Sequence, residues 1–325
     1  MMSSLNRSVR EMDPQMLIDE GIAILKDKID DIAIIACSGG IDSSVAAVMA
    51  SQAVGDKLHC VYVDTGFMRK GETEDVQRIL EELGLNLTVV DASERFFKHL
   101  EGVTEPEHKR KVIGEQFIRV FEEQQKIVGA KYLVQGTIAP DWIESGGGER
   151  DVIKSHHNVG GLPDDVDLVI VEPLRDCYKD EVREMAVALG IPSSHRQPFP
   201  GPGLAVRVLG ELTRERTEAC REACAIVEEE LETAAAAGLM EIPWQYFAAL
   251  LDVSSVGVHG DARVYGETIV VRAVRSMDGM SARCSSIPYE VLEKISTRIT
   301  NSLKGHVNRV VYDITHKPPG TIEWE

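Results

Sequence analysis

At 325 residues, 43% of them hydrophobic, the chain is long enough for two domains with separate cores and too apolar to be disordered. Its 53 acidic residues against 35 basic ones leave a net charge of −18, which opposes non-specific binding to nucleic acid. No apolar run is long enough to span a bilayer, Met1–Asp13 carries no apolar block, and the six cysteines form no Cys-x-x-Cys pair. A cytoplasmic protein with neither a zinc site nor a redox pair is expected.

In chain order, Asp13-Pro14 supplies an N-cap and a first-turn proline, and Ile18, Ile22 and Leu25 make one apolar stripe. Residues 14–28 therefore read as an amphipathic helix. Ile32–Cys37 reads as a buried strand, followed by Ser38-Gly39-Gly40-Ile41-Asp42-Ser43-Ser44. Val45, Val48 and Met49 then give the inner face of a helix. The glycines thus sit at a strand-to-helix turn, where uncapped N–H groups and the helix dipole favour an anion. With the three serine hydroxyls this is a phosphate cradle. It is not the P-loop of kinases and GTPases, because no lysine follows the glycines. Asp42 suits either a Mg²⁺ ion or a charge complement to the helix start.

A second strand is expected over 58–63, a helix over 72–83, and a third strand over 85–90. Residues 107–129 read as a long helix with Lys109, Arg110 and Lys111 near its start. That cluster is either a solvated face or an anion site; the helix dipole disfavours three cations there, which lends weight to an anion. A fourth strand over 131–135 leads into Gly136-Thr137-Ile138-Ala139-Pro140-Asp141-Trp142-Ile143-Glu144-Ser145. The polar stretch that follows, with Lys154, His156 and His157, is roughly 30 residues long, a length that marks a functional loop such as a lid. His156 and His157 are adjacent and ill placed to share a metal; they read as lid contacts or surface residues.

A fifth strand over 168–171 and a helix over 178–189 complete the first half. Strands alternating with helices predict an α/β fold, a parallel sheet with helices on both faces, binding its ligand beyond the strand ends. Pro198-Phe199-Pro200-Gly201-Pro202-Gly203 reads as a stiff linker, which divides the chain into domains 1–200 and 201–325. Beyond it a strand is expected over 204–209 and a helix over 213–237. Two apolar runs, 254–258 and 268–274, precede a helix over 288–303 and a strand over 307–313. The second domain is then a small α+β unit. Two prolines, Ile322 and Trp324 argue that the last residues, from Lys317, are docked.

Ser-Gly-Gly-x-Asp-Ser resembles the signature of the N-type ATP pyrophosphatases, which split ATP between its α and β phosphates. Taken together, Ser38–Ser44, Gly136–Ser145, Ile153–Pro163, Pro198–Arg207 and Lys317–Glu325 resemble the GMP synthetase family over nearly the whole chain. The resemblance implies a ligase that adenylates xanthosine monophosphate (XMP) with ATP and then aminates it to GMP, releasing AMP and pyrophosphate. It implies an ATP site at Ser38, Gly39, Gly40, Ile41, Asp42, Ser43, Ser44, Val63, Asp64 and Gly136, with Asp42 organising Mg²⁺.

The same resemblance implies that Asp141, Glu144 and Lys154 carry the adenylation step, with His156 and His157 beside them. Arg110, Asp261, Lys317 and Glu323 match XMP-site positions, although Asp261 equally suits a turn in His259-Gly260-Asp261. The second domain would bind XMP and form a homodimer. Many family members begin with a glutamine amidotransferase domain. The cradle here begins at residue 38, so that domain is expected as a separate partner chain, or free ammonia takes its place. Gln197 replaces a family histidine, so no histidine role is carried to that position. Two alternatives stay open: another ATP pyrophosphatase such as an NAD synthetase, and a nucleotide-binding regulatory module without turnover.

Overall fold

The computed structural model describes residues 13–139, 168–192, 197–277 and 279–325. The chain divides into two compact units. One holds the segments up to Asp64, Glu74–Asp91 and Phe117 to residue 195; the other holds Thr65–Thr73, Ala92–Gln116 and residue 196 to Glu325.

The first unit contains a five-stranded sheet made of β1 (Ala33–Ala36), β2 (Leu58–Asp64), β3 (Leu87–Asp91), β4 (Tyr132–Val134) and β5 (Val169–Val171). The order is β3-β2-β1-β4-β5, and every pairing is parallel. Ala33, Ile34 and Ile35 of β1 are buried on both faces, as expected for the centre of such a sheet. Helix α1 (Pro14–Lys28) is capped by the Asp13 side chain, which accepts from the Gln15 N–H. Helix α2 (Ile41–Val54) packs on β1, β2 and β4, and Ser44–Ala50 are buried without a break. An all-round apolar helix of this kind is a core element. Helix α3 (Glu72–Glu82) ends before Gly84.

Helix α4 (Ser93–Leu100) has no counterpart among the elements expected from the sequence. It is short and buries only Phe96 and Leu100, one turn apart, which is too little periodicity to mark a helix. Helix α5 (Pro106–Val128) matches the expected long helix, and α6 (Lys179–Ala188) the one after β5.

In the second unit, the strand expected over 204–209 is instead a 3-10 turn, Gly203–Val206, followed by a lone bridge between Val208 and Leu250. Gly203 has φ of 64°, and Leu204, Ala205, Val206 and Val208 are all fully buried. The apolar run therefore fills the core as a coiled segment, with no polar face for alternation to reveal. Helix α7 (Arg214–Ala236), capped by Thr213, packs on the hairpin β6 (Gln245–His259) and β7 (Ala262–Arg275). Both strands run well beyond the two apolar stretches seen in the sequence. β8 (Arg283–Cys284) and β9 (Val307–Asp313) pair with β7, and β9 does so in parallel through helix α8 (Tyr289–Ser302).

The proline-rich segment is gripped rather than loose. Leu204 N–H donates to the Phe67 carbonyl at 2.8 Å, Arg69 lies over the Phe199 ring at 4.3 Å, and Arg207 lies 5.1 Å from its centre. Gln197 donates to Glu228 at 2.8 Å and accepts from the Tyr246 N–H at 2.6 Å, so its amide serves as donor and acceptor at once. A β-carbon on Gly203 would lie 2.3 Å from the Phe67 carbonyl oxygen, in a left-handed backbone conformation. Gly203→Ala should therefore cost well over about 1 kcal/mol, read as a lower urea midpoint at unchanged slope. Gly71→Ala, with φ of 72° but open space around it, should cost less.

Candidate functional site

In a parallel sheet, ligands gather where neighbouring strands lead away in opposite directions. Here that point lies between β1 and β4, because the chain runs outward from β1 through β2 to β3 and then returns to β1's other side. Ser38–Gly40 leave β1 at that point, and Gly136 leaves β4. A β-carbon on Gly136 would lie 3.1 Å from the Asp42 carbonyl group and 3.2 Å from the Ser43 nitrogen. Any side chain there would push the start of α2 away by a few tenths of an ångström, so glycine lets the end of β4 come this close without a shift.

Gly39 has φ of 75°, and a β-carbon there would meet the Val76 methyl at 2.5 Å. Gly40 is the N-cap of α2 and contributes no side-chain cap. The turn is braced by hydroxyls instead. Ser43 and Ser44 donate to the Gly40 carbonyl at 3.0 and 2.9 Å, and the Ser38 and Ser43 oxygens are 3.2 Å apart. The Gly40 N–H donates to Ser38 Oγ and the Ser38 N–H to Ser43 Oγ, both at 3.3 Å. These contacts fix the loop's shape while the first turn of α2 keeps its dipole end open to an anion.

Asp42 stands in that first turn. Its Oδ2 pairs with Lys179 Nζ at 2.5 Å, and its Oδ1 is buried with no hydrogen-bond partner among the described residues. A buried carboxylate oxygen left unsatisfied is costly, and it fits a hard divalent cation. Among the described residues there is no cluster of three or more metal-ligating side chains. Nothing local in the sequence ties Lys179 to the cradle. It opens α6, 137 residues away from Asp42, and only the folded chain brings the two together.

Ile41 is the first residue of α2. Val63 and Asp64 end β2, next to β1, and the Val63 side chain is buried. Asp141, Glu144, Lys154, His156 and His157 lie outside the described residues.

The second unit gathers a different set. Arg110 donates to the main-chain carbonyl of Glu325 and pairs with Glu107 at 3.5 Å. Its neighbour Lys109 is fully buried and donates to Glu325 Oε2 at 2.6 Å and to the Val208 carbonyl at 2.7 Å. So the anion met by two of the three clustered cations is Glu325 itself. Burial pushes the Lys109 ammonium down in pKa while Glu325 opposes that shift; burial likewise pushes the Glu325 carboxyl up against Lys109.

Glu323 receives Nε and Nη2 of the fully buried Arg207 at 3.0 and 2.9 Å, and Gln245 at 2.8 Å. Burial works against the Arg207 charge, and Glu323 outweighs it, so the guanidinium is held above its ordinary pKa. Arg272, also fully buried, donates to the carbonyls of Thr315, Thr321 and Ile322 and pairs with Asp313. Lys317 donates to the Gly279 carbonyl at 2.7 Å, and its main chain bridges Ala282.

The last residues are therefore docked, as their composition suggests, and Arg110, Lys317 and Glu323 belong to one docked assembly. Asp261 does not. It is exposed at the hairpin tip, whereas Lys317 lies by Ala282, at the far end of β7. About 40 Å of strand separates the two at ~3.3 Å per residue.

Comparison with known proteins places this arrangement. The family model for the GMP synthase C terminal domain matches residues 232–324, and that for NAD synthase matches residues 22–117. The B subunit of GMP synthase [glutamine-hydrolyzing] from Thermococcus kodakarensis is 59% identical over 95% of this chain and 98% of its own. The corresponding B subunit from Methanopyrus kandleri is 58% identical over 96% of this chain and 99% of its own. GMP synthase [glutamine-hydrolyzing] of Clostridium tetani is 56% identical over 94% of this chain but only 60% of its own. At 58–59% identity over nearly the full length of both B subunits, the chain is a member of the B-subunit family of glutamine-hydrolysing GMP synthases.

Proposed function

We propose that this chain is the synthetase component of a two-subunit enzyme, converting XMP, ATP and ammonia to GMP, AMP and pyrophosphate. Its ammonia comes from a separate glutamine amidotransferase chain, in keeping with relatives named as B subunits. The observation that carries the ATP site is the uncapped start of α2, held open by hydroxyl braces directly against Gly136.

The C2 oxygen of XMP attacks the α-phosphorus of ATP. The bond from that phosphorus to the bridging oxygen breaks, and pyrophosphate leaves with the electron pair. Ammonia then adds at C2, and AMP departs with the electrons of the C2–oxygen bond. Charge builds on the leaving pyrophosphate, and the first N–H groups of α2, the Ser38 hydroxyl and the Lys179 ammonium would receive it, joined by the Ser43 and Ser44 hydroxyls once they turn from the Gly40 carbonyl. The protein's part is positioning and charge neutralisation.

Asp42 would hold Mg²⁺ through its unpartnered Oδ1, and the ion would offset phosphate charge. Val63, Asp64 and Gly136 flank the adenosine. Asp141 and Glu144 would orient the metal, Lys154 would neutralise charge developing on phosphate during adenylation, and His156 and His157 would act beside them. Arg110, Lys317 and Glu323 bind XMP.

The hairpin tip carries Val256, Val258 and Tyr265 exposed, with Val256 directly opposite Tyr265. Such a patch supports a homodimer through the second domain, and the expected XMP contact of Asp261 then comes from a second copy. The assignment of residues 1–200 to ATP and 201–325 to XMP and dimerisation belongs to the same proposal. So does a cytoplasmic location, which the free cysteines favour. No helix among the described residues is long and apolar enough to cross a membrane.

Purified protein given XMP, ATP, Mg²⁺ and ammonium should release AMP and pyrophosphate and form GMP, while glutamine alone should not support turnover; ADP and phosphate as products would refute the cradle. Deamido-NAD in place of XMP should be inert. Asp42→Asn should raise the Mg²⁺ concentration for half-maximal rate roughly tenfold or more. Lys179→Ala should lower kcat by about 100-fold without loss of fold, read by AMP release and melting temperature. Lys154→Ala should abolish AMP formation in a folded protein, and near-normal AMP release would remove it from the reaction.

A further inference from the structure

Residues 314–325 form no helix or strand, yet they are held at three points by buried cations. Arg272, on β7, takes the carbonyls of Thr315, Thr321 and Ile322. Arg207, from the turn before α7, takes the Glu323 carboxylate. The third clamp comes from elsewhere. Lys109, on α5, takes the Glu325 carboxylate, with side-chain exposures of 0% and 6% for the two partners. The other carboxylate oxygen accepts from the Gly210 N–H at 3.4 Å.

This third clamp differs in what it joins. Arg110 is the next residue on α5 and itself grips the Glu325 main chain. Lys317 and Glu323 are carried by the docked segment. The first two clamps leave α5 out, and the contacts at Glu325 tie the helix bearing Arg110 to the segment bearing Lys317 and Glu323. Among the described residues, the Lys317 ammonium spends one of its three donors, on the Gly279 carbonyl.

We propose that Lys109 and Glu325 are positioning residues for the nucleotide site. Their buried ion pair registers Arg110 against residues 317–325, so that Arg110, Lys317 and Glu323 present one constellation to a purine nucleoside monophosphate. The proposal rests on the reading of those three residues as XMP contacts. It adds two residues that touch no substrate and act through the contacts they set.

The test uses the full chain with ammonium as nitrogen donor. In Glu325→Gln, which keeps shape and acceptor but not charge, KM for XMP should rise tenfold or more while KM for ATP stays within twofold. Lys109→Met should show the same split. Should that variant fail to fold, Glu325→Gln and the unsubstituted protein decide. Hydrogen exchange of the unsubstituted chain should show peptides spanning 106–112 and 317–325 protected before any ligand is added, with XMP slowing both further. A KM for XMP within twofold of the starting protein in folded Glu325→Gln overturns the proposal. So does fast exchange of 317–325 in the absence of XMP. Failure of the functional reading looks different: no AMP is released with XMP by the unsubstituted protein, and the positioning role falls with it.

Discussion

The structure depends on one close approach, that of the end of β4 to the start of α2. Gly136 stands so close that a β-carbon there would crowd the Asp42 and Ser43 main chain at 3.1 to 3.2 Å and force it back by a few tenths of an ångström. The approach sets β4 beside β1 and brings the strand-order reversal to the mouth of the serine-glycine turn. Everything the cradle can do follows from it. The dipole end of α2 stays open because no side chain caps it, and the serine hydroxyls spend their bonds on holding the turn. A loop that satisfied its own helix end would be more stable and would bind phosphate less well.

The second unit solves a different problem with the opposite means. A segment without secondary structure has carbonyls and carboxylates to satisfy, and it meets three fully buried cations, Lys109, Arg207 and Arg272. Buried charges add little to stability by themselves, but removing one partner leaves the other stranded at a cost of about 3–5 kcal/mol. The docked path is therefore the one in which these cations are answered. Phe247, 4.1 Å from the Arg207 guanidinium, and Phe199 on the same group help to keep that pair out of water.

These two devices reconcile an acidic protein with phosphate-rich substrates. A net charge of −18 repels nucleotides at long range. Inside the sites the balance reverses, because main-chain dipoles and a few cations placed by tertiary contacts supply the positive field. Lys179 beside Asp42 and Arg110 beside Lys109 are local exceptions within an acidic chain.

The cradle was legible from residues alone because its chemistry is local: glycines, hydroxyls and a carboxylate follow one another across a single turn. The parallel sheet was legible from buried strands alternating with helices, and α1, α5 and β9 were found nearly to the residue. The coiled path of 203–208 was not, because Leu204, Val206 and Val208 are buried in a coil that mimics a strand's composition. Tertiary structure alone decided that Lys179 joins Asp42 across 137 residues, that Lys109 turns inward to Glu325 across 216, and that Asp261 stands at the hairpin tip away from Lys317. The order of residues along the chain specifies what lies within one turn of the backbone; which distant charges meet is settled only when burial removes water and leaves each of them to the partners folded against it.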